Sequence, residues 1–145
     1  MICPPIRWAA NEDIEEIEGL LKEAGLPVVG VREQLQHFLI ARIDGAIVGA
    51  VGLELYEKDG LLRSLVVRKS ARSQGIGDAL YQQLLDEARH LSVQRLILLT
   101  TTAESYFAAR GFRRIDRNTI KGGLTRSAEF TGVCPDSAVC LELIL

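Results

Sequence analysis

Residues 64–80 read SLVVRKSARSQGIGDAL. An apolar strand runs into a loop of small and basic residues, and the loop opens a helix. Arg72, Gln74, Gly75 and Gly77 occupy the pattern R/Q-x-x-G-x-G. The physics suits a pyrophosphate. Glycines let backbone come close and turn sharply. Successive N–H groups form a nest, and the helix N-terminus adds partial positive charge. Arg72 adds a full one, with Arg68 and Lys69 nearby. Two better-known phosphate loops are excluded. Leu80 stands where a dinucleotide motif has its third glycine, and there is no G-K-[ST]. A Gly-rich loop before a helix is also simply a helix start, so its surroundings must decide.

Downstream, Ile76, Leu80, Leu84, Ala88 and Leu91 recur at steps of three or four and predict one apolar helix face. VQRLILLT reads as a buried strand of the parallel type. TTTAESYFAARGF (residues 100–112) follows as a short helix running into Gly-Phe. FRRI is a strand, and after a stretch without period VCLELIL closes the chain as another. Upstream, Ile6 to Ala9 predicts a strand. Asn11 is expected to cap a helix whose Ile14, Ile17, Leu20, Leu21 and Ala24 share a face and which Gly25 ends. A short helix is expected around Arg32 to Gln36. HFLIARI and AIVGAVGLELY are strands joined by a type I′ turn at Asp44-Gly45. EKDG turns again, and LLRSLVV (residues 61–67) is the next strand. This order predicts a mixed α/β sheet in one domain over residues 1–145.

Composition narrows the partners. With 48% hydrophobic and 25% charged residues, the chain reads as an ordinary globular protein. A net charge of −2 gives no reason to expect nucleic acid or an anionic membrane. No apolar run spans a bilayer, and MICPPIRWAANED lacks the pattern of a signal peptide, so a cytoplasmic location is expected. Cys3, Cys134 and Cys140 are an odd set without a secretion signal, which argues against disulfides. They read as buried or idle thiols, with a soft-metal or arsenical thiol site as the sharper alternative.

On these residues the chain resembles the GNAT superfamily of acyl-CoA-dependent N-acetyltransferases. The resemblance runs from IRWAANEDIEEIEGLL through LVVRKSARSQGIGDAL to YFAARGF. It implies an α/β (α+β) GNAT fold, with a mixed sheet of about seven strands and about four flanking helices. The sheet is expected to splay between the fourth strand, at residues 61–67, and the fifth, Arg95–Thr100. It implies acetyl-CoA as cosubstrate and no metal. Leu65, Val66 and Val67 map to the acetyl and pantetheine positions. Arg72, Ser73, Gln74, Gly75, Ile76 and Gly77 map to the pyrophosphate loop, and Phe107 to the side of pantetheine.

Two narrower resemblances concern the acceptor. VREQLQHFLIARIDGAIVGAVGLE and LTTTAESYFAARGF are similar to the acetyltransferase domain of N-acetylglutamate synthase. TRSAEFTGVCPDSAVCLEL, with LLRSLVV and LTTTAESYF, resembles the small acetyltransferases named for arsenic-resistance operons. Both imply a small amine acceptor that is amino-acid-like, glutamate or a toxic analogue. The resemblance also allows a homodimer.

The implied reaction is direct attack of a neutral amine on a thioester. Many GNAT enzymes carry a Tyr four residues before the Gly of Gly-Phe, as proton donor to the thiolate. That place is Phe107; the hydroxyl is one residue earlier, on Tyr106, turned by about 100° along a helix. Tyr106 as acid and Glu54 as base are the catalytic candidates. The plainer alternatives are a Tyr106 that points elsewhere and a Glu54 that is an exposed strand-end carboxylate. Arg32 and Arg63 are candidate binders of an acceptor carboxylate. Arg63 and Ser64 are expected on opposite faces of their strand. Ser64 and Thr101 are further acceptor candidates, and the threonines at 100–102 can instead cap the next helix. Two other functions stay open: acetylation of proteins or peptides, which needs an open groove, and a CoA-binding sensor without turnover.

Overall fold

In the computed structural model, which describes residues 4–133 and 137–145, seven strands form one sheet. In chain order these are β1 (Ile6–Trp8), β2 (Phe38–Ile43), β3 (Ala46–Tyr56), β4 (Asp59–Val67), β5 (Arg95–Thr100), β6 (Arg113–Ile115) and β7 (Val139–Ile144). The helices are α1 (Ile14–Glu23), α2 (Ile76–His90) and α3 (Glu104–Ala108), with a π-helical segment at Glu129–Val133. The sheet order is β1-β2-β3-β4-β5-β7-β6. It is antiparallel except where β4 meets β5. This is the GNAT-type fold that the resemblance implied.

Period-two alternation sorts β2 between two of the three cores. On β2, Leu39 and Ala41 join the core under α2, and Phe38 and Ile40 join the core under α1. The helices bury matching stripes. Ile17, Leu20 and Leu21 of α1 and Ile76, Leu80, Leu84 and Ala88 of α2 are buried, each buried leucine or isoleucine contributing about 1.5–3 kcal/mol. Leu91, expected on the same face, lies past the end of α2 and is exposed. Asp44 and Gly45 both have positive φ, at 51° and 83°, as a type I′ turn requires.

Two local expectations are corrected. Asn11 does not cap α1: it begins a 3-10 turn, and Asp13 folds back to accept from the Ala10 N–H at 2.8 Å. Asp13 is buried against Arg42, 2.5 Å away, and Arg7, and the backbone and guanidinium donors outweigh its desolvation and hold its carboxyl below the usual range. No α-helix forms at residues 32–36. The chain makes turns there and a 3-10 helix at Leu35–His37, because Gly30 at φ +88° and Pro27 set a connector rather than a helix start.

The sheet opens where the site lies. Parallel pairing of β4 with β5 is confined to Asp59–Arg95, Gly60–Leu96 and Leu61–Ile97. Arg95 bonds both oxygens of Asp59, at 3.1 and 2.9 Å, and pins this closed end. Beyond Leu61 the strands diverge, and β5 stays paired to β7 as far as Thr100. The result is a V between β4 and β5.

Candidate active site

Two cavities occupy the V and meet at Leu65, Thr102, Ala103 and Phe107. The first, about 620 Å³, runs along β4 toward the N-terminus of α2. The second, about 410 Å³, lies on the other side, below the connector at Gly25, Leu26 and Pro27.

The first cavity has an anion nest at its outer end. Ser73 and Gly75 both have positive φ, 67° and 79°. Alternating left-handed residues turn successive N–H groups toward one concavity. Gly75 is the N-cap of α2 and no side chain caps it, so the first-turn N–H groups lack intrahelical acceptors. Arg72 Nε donates to the carbonyl of Val67 at 3.1 Å and ties the loop to the end of β4. Of the expected loop residues, Arg72, Ser73, Gly75, Ile76 and Gly77 line this cavity, as do Leu65, Val66, Val67 and Phe107. Gln74 is exposed and is not among them. A nest built partly by a serine in the left-handed region was not legible from residue type.

A bulge shapes the wall between the cavities. Arg63 pairs with Gly52 and Val66 with Ala50, so Ser64 and Leu65 together face Val51. Ser64 takes φ 61°. The extra residue leaves the ladder, and the alternation breaks with it. Arg63 and Ser64 therefore do not face opposite sides. Both line the second cavity, and Arg63 Nε donates to Ser64 Oγ at 3.1 Å.

Behind this wall lies a buried network. Glu54 is 2% exposed, not a strand-end carboxylate in solvent. It accepts from Arg63 Nη1 at 2.8 Å, Ser127 Oγ at 2.7 Å and Tyr56 Oη at 2.5 Å. Burial, then the bond to Glu54, pushes the Tyr56 phenol up to about 12. Arg63 also donates to the carbonyl of Pro27 at 3.2 Å. Glu54 lines neither cavity: it holds Arg63 at the wall of the second cavity rather than reaching past it. Tyr56 follows Glu54 at the strand period of two, a signal that was available. Ser127 lies 73 residues away, where no local pattern points.

Tyr106 and Phe107 separate as the helix geometry requires. Phe107 lines both cavities, and Tyr106 lines only the first. The Tyr106 hydroxyl donates to Asp78 Oδ1 on α2 at 2.7 Å. Arg110 lies 3.5 Å from the Tyr106 ring centroid and pairs with Asp78. Burial, then the bond to Asp78, pushes the Tyr106 phenol up to about 12. A proton moving from such a phenol to a thiolate near 8.5 runs uphill by three to four powers of ten, roughly.

The remaining candidates divide. Thr101 lines the second cavity, and Thr100 Oγ1 accepts from the Ala103 N–H at 3.0 Å, so this threonine does cap the turn. Arg32 lines neither cavity: it is exposed and bonded to Glu18 at 3.0 and 3.2 Å. Glu129, 6% exposed, lines the second cavity from the C-terminal segment and was missed, because that segment has no period. Cys140 is buried on β7, and burial pushes its thiol up to about 11. Cys3 and Cys134 lie outside the described residues. No cluster of three metal-ligating side chains occurs among the described residues, and no helix among them is long and apolar enough to cross a membrane.

Comparison with known proteins agrees with this geometry. The sequence profile of the acetyltransferase (GNAT) family matches residues 5–114. An amino-acid acetyltransferase of Neisseria meningitidis is 34% identical over 117 residues, covering 74% of the chain and 27% of that protein. The chain thus spans about a quarter of that relative's length. An amino-acid acetyltransferase of Mycobacterium tuberculosis is 33% identical over 125 residues, covering 78% of the chain and 70% of that protein. Among solved structures, Rv2747 from Mycobacterium tuberculosis in complex with CoA superposes with a TM-score of 0.82 at 27% identity, covering 98% and 99% of the two chains. N-acetylglutamate synthase from Neisseria gonorrhoeae, complexed with coenzyme A and N-acetyl-glutamate, gives 0.82 at 25% identity, covering 97% of this chain and 35% of that one.

Proposed function

The chain belongs to the acetyltransferase (GNAT) family, and from that premise we propose that it moves the acetyl group of acetyl-CoA to the amine of a small, amino-acid-like acceptor. One observation carries the reading. The nest-ended cavity and the smaller cavity share Leu65, Thr102, Ala103 and Phe107 in their linings, so a thioester laid along β4 would end beside an acceptor held at the bulge. A cavity of about 410 Å³ is at the small end of the range for ligand sites, which suits one amino acid better than a polypeptide segment.

In this proposal the nest and Arg72 hold the pyrophosphate, while Leu65, Val66 and Val67 run beside pantetheine. The bulge frees a backbone N–H near Leu65 to meet the oxyanion. Arg63, held by Glu54, faces the acceptor. Tyr106 binds Asp78 and has no part in proton transfer, and CoA leaves as the thiolate.

Titrating acetyl-CoA by calorimetry, then following thiol release with an amino-acid panel, tests the function. Binding without release for every acceptor would defeat it. Gly75→Val is expected to weaken acetyl-CoA binding about tenfold or more, because a β-branched residue resists φ near +79° and would pull the nest out of shape. Unchanged affinity would remove the nest from the cofactor site. Tyr106→Phe is expected to change kcat by less than about threefold. A hundredfold loss would return the hydroxyl to the chemistry.

A further inference from the structure

A carboxylate stands at the lip of the cofactor nest and is turned away from it. Asp78 is the third residue of α2, in the first turn after the N-cap Gly75. An acid at this place ordinarily folds back onto the free N–H groups of the helix start. The chain does this once: Asp13, three residues after Ala10, accepts from the Ala10 N–H at 2.8 Å. Asp78 has the same spacing from Gly75 and behaves otherwise. Its Oδ1 accepts from the Tyr106 hydroxyl of α3 at 2.7 Å and pairs with the guanidinium of Arg110, just past α3.

The two partners brace each other. Arg110 lies 3.5 Å from the Tyr106 ring centroid, and its Nη1 donates to the Tyr106 carbonyl at 2.8 Å. The Tyr106 ring in turn packs edge-on against the buried Phe107, with 5.0 Å between centroids. Asp78 and Tyr106 both line the first cavity, together with Gly75 and Gly77. The bonds to Tyr106 and then to Arg110 hold the Asp78 carboxyl below the usual range, so it is charged at neutral pH. A charged carboxylate here has two effects on an incoming pyrophosphate. It repels it, and it competes for the same N–H groups. The Asp78 side chain is 59% exposed, so its ion pair adds little stability. What the pair changes is the charge and the reach of Asp78 at the nest.

Resting on the assignment of this nest to the pyrophosphate of acetyl-CoA, we propose that Tyr106 and Arg110 are positioning residues for the cosubstrate: they hold Asp78 off the start of α2 and cancel its charge, which leaves the nest free for the pyrophosphate. The Tyr106 hydroxyl then serves cofactor binding through Asp78, at a distance from the reacting atoms.

The test is acetyl-CoA affinity by calorimetry, with the melting temperature as the control for folding. Arg110→Met should weaken binding about tenfold, because it leaves a like charge beside the pyrophosphate. Tyr106→Phe should weaken it about threefold, the scale of one lost hydrogen bond. Both losses should appear in KM for acetyl-CoA rather than in kcat. Adding Asp78→Asn should bring either variant back to within about twofold of the parent, since the competing anion is gone. Asp78→Asn alone should tighten binding about threefold, which keeps the proposal open to refutation even where Arg110→Met does not fold. Parental affinity in Arg110→Met overturns the proposal, and so does weaker binding by Asp78→Asn. A loss in Arg110→Met that persists with Asp78→Asn also overturns it, and makes Arg110 a direct ligand of the phosphates. Gly75→Val separates this proposal from the reading beneath it. If that variant keeps its affinity, the nest is not the cofactor site and the proposal falls with it. If it binds weakly while Arg110→Met binds normally, the nest stands and only the role of Tyr106 and Arg110 falls.

Discussion

Arg63→Met is expected to lower the free energy of unfolding by about 3–5 kcal/mol, the range for breaking a buried ion pair from one side. Both partners are 3% exposed or less at their side chains and sit 2.8 Å apart. With the guanidinium gone, Glu54 keeps donors from Tyr56 and Ser127 but no countercharge. For a domain of this size the melting temperature should fall by roughly 8–15 °C. Urea unfolding at neutral pH, with an unchanged m-value, measures the loss. Adding Glu54→Gln to Arg63→Met should recover stability, since it removes the stranded charge. A loss under about 1 kcal/mol for Arg63→Met, typical of a surface pair, would show that the network is not the wall's support.

Gly52→Ala is expected to cost about 2–3 kcal/mol, at the upper end for overpacking. Gly52 stands directly across from Phe38 in the β2–β3 ladder. A Cβ added there would fall 2.4 Å from Phe38 Cζ and under 3 Å from two more ring atoms. The ring is fully buried beside Ile17, Leu20 and Leu21, so it cannot swing aside cheaply. The double-mutant cycle separates this clash from the intrinsic cost of losing a glycine. In a Phe38→Ala background, itself about 3–5 kcal/mol down, Gly52→Ala should cost under about 1 kcal/mol. Equal costs in both backgrounds would refute the contact.

The site was legible in parts, and the parts differ in kind. Gly75, Gly77 and Arg72 could be read because a phosphate nest is made by consecutive residues at a helix start. Ser73 escaped because serine is not a residue type that announces positive φ. The face of α2 could be read from its period, and the Phe107–Tyr106 separation from the turn per residue. Ser64 was misplaced because a bulge adds one residue to one strand, and nothing in LLRSLVV marks where. Glu54 was legible as a candidate, but its burial was not, since that depends on Ser127 and Tyr56 closing over it. Arg32 was drawn toward the site by the resemblance of VREQL to a segment of the glutamate-type relatives, but its side chain bonds to Glu18 instead.

By itself the sequence determined the order of strands and helices, the nest at the start of α2 and the family, because each rests on spacing between near neighbours. Only the tertiary structure decided how wide the V opens past Leu61, which of two arginines lines the second cavity, and that Glu129 lines it too. Those outcomes depend on contacts between segments 9 to 73 residues apart. Such contacts form only when the whole sheet has folded, and no local period in the chain encodes them.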